Sequence, residues 1–230
     1  MRIIIIILTT IRMVIAQEYI VTILGFNATD VIQNNEDSIS ISFKAQNRGI
    51  FDFIWPTNNY YRTIYNAENF SVQSWEKVIN QGKLKEELSG TIDIKGKVEY
   101  NDGTSFKSAE ETYNILSLIA LVQHYDKDFF DTKWFDFEHD GSIGEARFLW
   151  SDSVSLFNVN DSILCDHYRL DINISDTTKK VESSDYFMDN IIRENIVREI
   201  WVSRYAPRRI VKAQIKISGL SIVAHVISNK

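Results

Sequence analysis

The stretch that decides the fold is IVKAQIKISGLSIVAHVI, residues 210–227. Apolar and polar side chains alternate along 210–217 and again along 220–227, which is the pattern of a strand with one buried face. Ser218-Gly219 between them is a hairpin turn signal. The stretch therefore predicts an antiparallel hairpin, and a slip of one residue in its pairing would move every apolar side chain into water.

The same alternation continues through most of the chain towards the N-terminus. Turn signals recur at intervals of about 8–12 residues, which favours an antiparallel barrel or half-barrel. Gly96 stands where an apolar side chain is expected, which predicts a bend or bulge within one long curved strand. The predicted strands before the last hairpin cover residues 38–45, 50–55, 60–65, 70–79, 92–100, 134–139, 145–150, 154–159, 164–174 and 196–203.

One segment has the pattern of a helix. Ser108-Ala109-Glu110-Glu111 reads as a capping box, in which the Ser hydroxyl and the last Glu carboxylate satisfy free amides of the first turn. The residues up to 123 are apolar on most faces, which is typical of a buried helix. The predicted fold class is therefore mainly β: a curved antiparallel sheet, or open half-barrel, wrapped around one buried helix over about residues 109–123.

The first sixteen residues have the features of an export signal. Met1-Arg2 is basic, residues 3–8 are an apolar run, and Val14-Ile15-Ala16 resembles a cleavage site. The alternative is the buried first strand of a cytoplasmic domain. The export interpretation predicts a signal peptide over 1–16 and a single half-barrel domain over 17–230, located in the periplasm or outside the cell. No later segment contains the roughly 18 continuous apolar residues of a membrane span.

The amino-acid composition predicts a globular, acidic domain and argues against nucleic acid as its partner. Hydrophobic residues make up 44% of the chain, enough for a core. The formal charge is −6; without Arg2 and Arg12 the mature chain has 23 basic and 31 acidic residues, a net charge of −8. Such an acidic domain is unsuited to nucleic acid, whose binding depends on neutralising phosphates. The one dense basic stretch, 204–212, is interpreted as a solvated hairpin end. Cys165 is the single cysteine, so no internal disulfide forms.

No catalytic or metal motif is complete. Asp136-x-Glu138-x-Asp140-Gly141 opens like a calcium loop, but the twelfth position, where a bidentate Glu is needed, is Arg147. A hairpin turn at Asp140-Gly141 is the preferred interpretation. Cys165 and His167 are two apart on a predicted strand, where an activated thiolate is one interpretation and a polar outward face is the other. The expectation is no enzymatic activity, no metal and no cofactor.

Aromatic side chains are the remaining clue to function. They are spread over several predicted strands, and curved sheets commonly hold pockets between strands and helix. One interpretation is an ordinary aromatic core; the other is a cavity for an apolar ligand. The candidate cavity residues are Phe51, Phe53, Trp75, Tyr113, Leu116, Trp134 and Trp150.

Several segments together resemble the exported bacterial family known as domain of unknown function 3108. They are residues 49–52, 59–65, 113–118, 140–141, 199–203 and 206–211. The resemblance implies an exported, mostly β fold similar to the half-barrels of outer-membrane lipoprotein carriers, and it transfers no catalytic residue. The basic residues at 204–209 depart from that family's usual pattern.

Two hypotheses of function follow. The first is a non-enzymatic binding or carrier-like envelope protein whose partner is an apolar small molecule or lipid. The alternative is a structural or interaction domain of the envelope with a fully packed core and no ligand. A cavity between helix and sheet would favour the first hypothesis, and a filled concave face would favour the second.

Overall fold

A computed structural model of the chain describes residues 16–158, 161–176, 181–182, 185–217 and 219–227. Residues 1–15, which make up nearly all of the predicted signal peptide, lie outside this range. The described residues contain fifteen strands: β1 Gln17–Ile23, β2 Phe26–Asp37, β3 Ser40–Asn47, β4 Asn58–Tyr65, β5 Val72–Gln81, β6 Leu84–Ile92, β7 Lys97–Tyr100, β8 Ser105–Lys107, β9 Thr112–Tyr113, β10 Trp134–His139, β11 Ser142–Asn158, β12 Asp161–Asp176, β13 Val197–Ser203, β14 Ile210–Ile217 and β15 Leu220–Val226.

These strands form a single large sheet in the order β8-β7-β6-β5-β4-β3-β2-β1-β15-β14-β13-β12-β11-β10-β9. The first and last strands of the chain are neighbours, since β1 pairs with β15. The pairing is antiparallel except between β9 and β10. The order begins at β8 and finishes at β9, so the sheet is open and is not closed into a barrel by strand pairing. The prediction of a mainly β fold built on one large open sheet is confirmed.

The hairpin at the C-terminus is confirmed. Ile215 pairs with Ile222 and Ala213 with Ala224, which is the register that the alternation requires. The β10–β11 hairpin through Asp140-Gly141 is confirmed as well. The segments predicted at 145–150 and 154–159 form one long strand, β11, as far as residue 158, with an irregularity between Trp150 and Asp152. Residue 159 lies outside the described residues.

Two predicted strands were wrong. Residues 50–54 belong to helix α1, Gly49–Ile54, and Trp55 follows it as the C-cap. The reason is topological: β3 pairs directly with β4, so the segment between them has no neighbouring strand and closes its hydrogen bonds locally, as in Trp55 N–H to Phe51 O. Residues 92–100 are not one strand either, because a turn at 93–96 separates β6 from β7.

The turn at 93–96 has clear local causes. The Asp93 carboxylate accepts hydrogen bonds from the amides of Lys95 and Lys97. Gly96 has φ +76, a backbone conformation that favours glycine. A Cβ at Gly96 would lie 2.4 Å from the Ala109 carbonyl oxygen, so a larger residue would force the two segments apart.

The buried helix, α2, begins later than predicted. The described helices are α1, α2 Ile115–His124, α3 Lys127–Phe130 and α4 Tyr186–Ile192. Asn114 caps α2: its side chain accepts from Ser117 N, and the Ser117 hydroxyl accepts from Asn114 N. Ser108 is instead bonded to Thr112, next to β9. The predicted start at 109 was therefore wrong, because the capping box lies six residues further along the chain.

Helix α2 is central to the main core. Leu118, Leu121 and Val122 are fully buried, and they belong to one apolar cluster with side chains from both halves of the sheet, such as Ile41 and Phe137. Arg208 reaches from the β13–β14 turn to the Val122 carbonyl, which is the type of partner that helix C-termini need. The basic stretch 204–212 does contain the predicted hairpin end, but it is not solvated throughout, because Arg208 is mostly buried.

Candidate functional site

The structure does not bring the seven candidate cavity residues together. Tyr113 and Leu116 lie in the main core, while Trp75 packs against a second apolar cluster around Leu88 and Val98. Phe53, Trp134 and Trp150 are exposed. Phe51, on α1, is half-buried.

The space beside the helix is small. The cavity that touches both Leu116 and Trp75 has a volume of about 40 Å³, which is room for a water molecule and not for an acyl chain. A larger depression of about 460 Å³ lies on β4–β7, but its lining is rich in polar residues such as Arg62, Glu76 and Glu99. Neither space is the apolar cavity of the first hypothesis.

Exposed apolar side chains are instead concentrated at one end of the sheet. Six large ones lie on the β1–β2 turn and on α1, and we call them the apolar end: Leu24, Phe26, Ile50, Phe53, Ile54 and Trp55. The two segments adjoin, because Arg48 N–H donates to Ala28 O, and the Arg48 guanidinium pairs with Asp30 at 2.9 Å. Four of the six residues of α1 are large and apolar, yet none is buried.

Leu24 is unusual in two respects. It forms a two-residue turn with Gly25, and both have positive φ, +52 and +83. That turn normally takes Asn, Asp or Gly, because a side chain such as leucine is strained there. Leu24 is also 73% exposed. Neither local conformation nor burial in the described fold accounts for leucine at this position.

A second candidate site is a group of buried charged side chains. Lys77 on β5 lies 2.6 Å from Asp140 Oδ2 and 3.8 Å from Asp185 Oδ2, and all three side chains are almost fully buried. Asp185 is the N-cap of α4, and its Oδ1 accepts from the Tyr61 hydroxyl. We call Lys77, Asp140 and Asp185 the ionic cluster. It joins β4 and β5 to the β10–β11 turn and α4 across the interior.

A further carboxyl group lies next to the cluster. Glu138 accepts hydrogen bonds from the Tyr100 hydroxyl and from Gly141 N–H. Burial raises the pKa of Glu138 above its ordinary value, although both hydrogen bonds act to lower it. Burial likewise raises the pKa of Asp185, against the lowering effect of Lys77.

His139 completes this region. Its Nε2 lies 3.5 Å from Asp140 Oδ2 and 3.9 Å from Asp189 Oδ1 on α4, and it has no hydrogen-bond partner among the described residues. From the sequence, Asp140 was expected in a hairpin turn, with a calcium loop as the alternative, and His139 had no assigned role. The missed signal is the adjacent His139-Asp140 pair at a tight turn, but its partners come from α4, about fifty residues later.

The other candidates have structural roles. Cys165 is buried in the core with its thiol on the Ile163 carbonyl, and burial raises its pKa to about 11. His167 stacks on Trp201, its partner on the neighbouring strand β13, with ring centroids 4.3 Å apart. The two do not form a catalytic pair. Asp126 caps α3, where its side chain accepts a hydrogen bond from Asp128 N–H.

Comparisons with known proteins support the fold alone. A crystal structure of a beta-barrel-like protein of domain of unknown function DUF1849 from Brucella abortus is similar, with a TM-score of 0.56 and 9% sequence identity over 94% of this chain and 97% of that one. No family model matches the chain, and no curated protein matches it. The chain therefore has a beta-barrel-like fold that is shared with a domain of unknown function. None of the described helices is long and apolar enough to cross a membrane.

Proposed function

We propose that this chain is an exported, non-enzymatic binding protein of the cell envelope that docks on a lipid surface through its apolar end. The observation that carries the proposal is α1, a helix whose large apolar residues are all outside the core. The strained and exposed Leu24 supports it independently. Membership of family 3108 is part of the same proposal and rests on the sequence resemblance.

The shape and chemistry of the apolar end suit a lipid surface better than a pocket ligand. Its side chains protrude from two adjoining segments, and Phe53 is 88% exposed. Phe and Trp that project from a surface are well suited to the boundary between head groups and acyl chains. Arg48 and Asp30, which adjoin the apolar end, are paired with each other. Asp52 is a further charge on α1, and insertion must leave its carboxylate in water. In this proposal lipid contacts the outside of the fold at the apolar end and does not enter the small space beside α2.

The size of the effect follows from burial. Moving a Phe, Leu or Ile side chain fully out of water contributes about 1.5–3 kcal/mol. Each factor of ten in affinity corresponds to about 1.4 kcal/mol. The substitution Phe53→Ser should therefore weaken vesicle binding by about tenfold or more, and Phe26→Ser should act similarly. Because attraction is apolar, binding should change little between about 0.05 and 0.5 M salt, unlike ionic attraction, which salt screens.

The test is co-sedimentation of the mature chain with phosphatidylcholine vesicles, with and without phosphatidylglycerol. Phe157→Ser is the matched control, because Phe157 is equally exposed at 89% but lies at the opposite end of the strands, beside Val211 and Val226. The proposal requires binding by the wild type and by Phe157→Ser, with loss in Phe53→Ser. Absence of wild-type binding would overturn it. A dimer that Phe53→Ser converts to monomers, without vesicle binding, would assign the apolar end to self-association instead.

A further inference from the structure

We propose that a recess at the end of the strands opposite the apolar end binds an organic carboxylate that carries one apolar group of side-chain size. The recess has a volume of about 160 Å³. It lies where the end of β11, the start of β14 and the end of β15 meet, and its lining residues are Leu156, Phe157, Val211, Lys212, His225 and Val226. The lipid-docking proposal gives none of these residues a role, so the two proposals stand or fall separately.

The apolar part of the lining sets the size of the group that fits. Val211 and Val226 are buried, whereas Phe157 is 89% exposed. The recess therefore has a packed apolar wall, and an apolar group that enters it would also cover part of the Phe157 ring. One water molecule takes up about 30 Å³ in the liquid, so the recess has the space of about five waters. That space admits a single side chain and excludes an acyl chain of membrane length.

The polar part of the lining is a pair of basic side chains. Lys212 on β14 lies directly opposite His225 on β15 in the antiparallel pairing, an arrangement in which like charges repel. Among the described residues, neither side chain has a hydrogen bond or ion pair with a carboxylate, and the Lys212 ammonium lies 4.2 Å from the centroid of the Trp201 ring. Burial lowers the pKa of both groups below their ordinary values, and the Lys212 charge lowers that of His225 as well. An anion bound between the two would relieve this repulsion.

The charges around the pair favour a carboxylate as the ligand. Lys212 belongs to the basic stretch 204–212, which is the one dense concentration of positive charge in an acidic chain. Glu199 attracts Lys212 at longer range, but its carboxylate is paired with Lys216 at 2.8 Å. A carboxylate placed between Lys212 and His225 would accept a hydrogen bond from each, and charge-assisted hydrogen bonds are the stronger kind. The apolar group of the same molecule would then fill the recess.

The experiment is an NMR titration of the isotope-labelled mature chain with three probes: the peptide acetyl-Ala-Phe with a free carboxylate, the same peptide as its C-terminal amide, and hexanoate. The free-acid peptide should bind saturably and shift the imidazole resonances of His225, while those of His124, which is exposed elsewhere, stay in place. The amide should bind about tenfold more weakly or worse, because it lacks the charge-assisted hydrogen bonds. Hexanoate that binds as tightly as the peptide would assign the recess to free carboxylates, and binding of the peptide alone would assign it to chain ends.

Variants separate the two parts of the lining. Lys212→Met keeps the apolar stem and removes the ammonium, so it should weaken binding of the free-acid peptide by about tenfold or more. Phe157→Ser should also weaken binding, and it leaves the core intact because Phe157 is so exposed. Lys44→Met is the matched control, since Lys44 is an exposed lysine on β3 that does not line the recess, and it should bind as the wild type does. Absence of saturable binding, equal binding of the amide, or wild-type affinity in Lys212→Met would overturn the proposal.

Discussion

Replacing Lys77 by Met should destabilise the fold severely. The substitution keeps the length and apolar stem of the side chain and removes its ammonium. Asp140 and Asp185 would then face each other's charge in the interior with only 3% and 0% of their side chains exposed. Removing the ammonium that contacts these buried carboxylates is costly, so the change tests whether the ionic cluster holds the two parts of the sheet together.

The magnitude can be bounded from the distances. At an effective dielectric constant of about 20, the attraction across 2.6 Å is about 6 kcal/mol, and desolvation of the charges offsets part of it. Removing one partner of a buried ion pair typically costs about 3–5 kcal/mol. We therefore expect Lys77→Met to lower the free energy of unfolding by about 3–5 kcal/mol at pH 7. A domain with about 5–15 kcal/mol of stability can still fold.

Urea unfolding followed by circular dichroism, in the presence of a chelator, measures this loss. Lys97→Met is the matched control, because Lys97 pairs with Glu99 on the surface, where solvent screens the pair and its loss should change stability little. Adding Asp140→Asn to Lys77→Met should restore part of the lost stability, which a double-mutant cycle resolves. A loss below about 1 kcal/mol in Lys77→Met would refute the argument that the interior depends on this charge.

Two further predictions concern stability. Asn114→Ala should lower the unfolding free energy by about 1 kcal/mol by removing the α2 cap, whereas Ser108→Ala should not act on the helix; urea titrations of both variants decide whether the cap is Asn114. Burial acts to raise the pKa of Asp166. The hydrogen bonds from Arg204 and Ser153 lower it by more than burial raises it, so the pKa in the folded protein lies below the ordinary value. The resulting stability is present above the unfolded-state pKa of about 3.9 and disappears as pH falls through the folded value. Unfolding between pH 2 and 6 should show a smaller acid loss in Asp166→Asn, and an unchanged slope would contradict this.

Strands were predictable where one face is buried and the other is wet. The C-terminal hairpin was located correctly because Lys212 and Lys216 separate apolar residues in strict alternation. The same rule placed residues 38–45 correctly but predicted a wet face for Ser40 and Ser42, which are buried with no hydrogen-bond partner among the described residues for either hydroxyl. The alternation of a sequence shows which side chains are polar. Whether a small polar side chain such as serine is buried depends on the residues that pack over it.

Segments whose conformation depends on distant partners could not be predicted. Residues 50–55 have apolar side chains like those of a strand, and they became a helix because β3 and β4 pair with each other. The capping signal at Ser108 was locally as good as that at Asn114. It failed because Thr112 and Tyr113 pair with β10 in parallel, which extends the chain through the predicted first turn.

The two candidate sites, the ionic cluster and the apolar end, could not be derived from the sequence either, because both depend on how distant segments pack. The ionic cluster combines residues from β5, from a turn 63 residues later and from the start of α4. These residues are too far apart in the sequence to form a recognisable motif. The apolar end was hidden because Phe51 and Phe53 on a supposed strand were assigned to the interior. Once that segment is a helix outside the sheet, the same side chains become surface features.

Local rules are broken together at the apolar end, and this coincidence is what separates it from ordinary exposed hydrophobic residues. Single apolar side chains on a surface need no explanation. Leu24, however, is unfavourable in two ways: leucine is strained at the positive φ of this turn, and its side chain is exposed. Replacing it by Gly should therefore remove strain of about 1 kcal/mol from the free protein. If the apolar end binds lipid, the same replacement must weaken vesicle binding, so that stability and binding move in opposite directions at one residue. A fold selected for stability alone has no reason to keep leucine there.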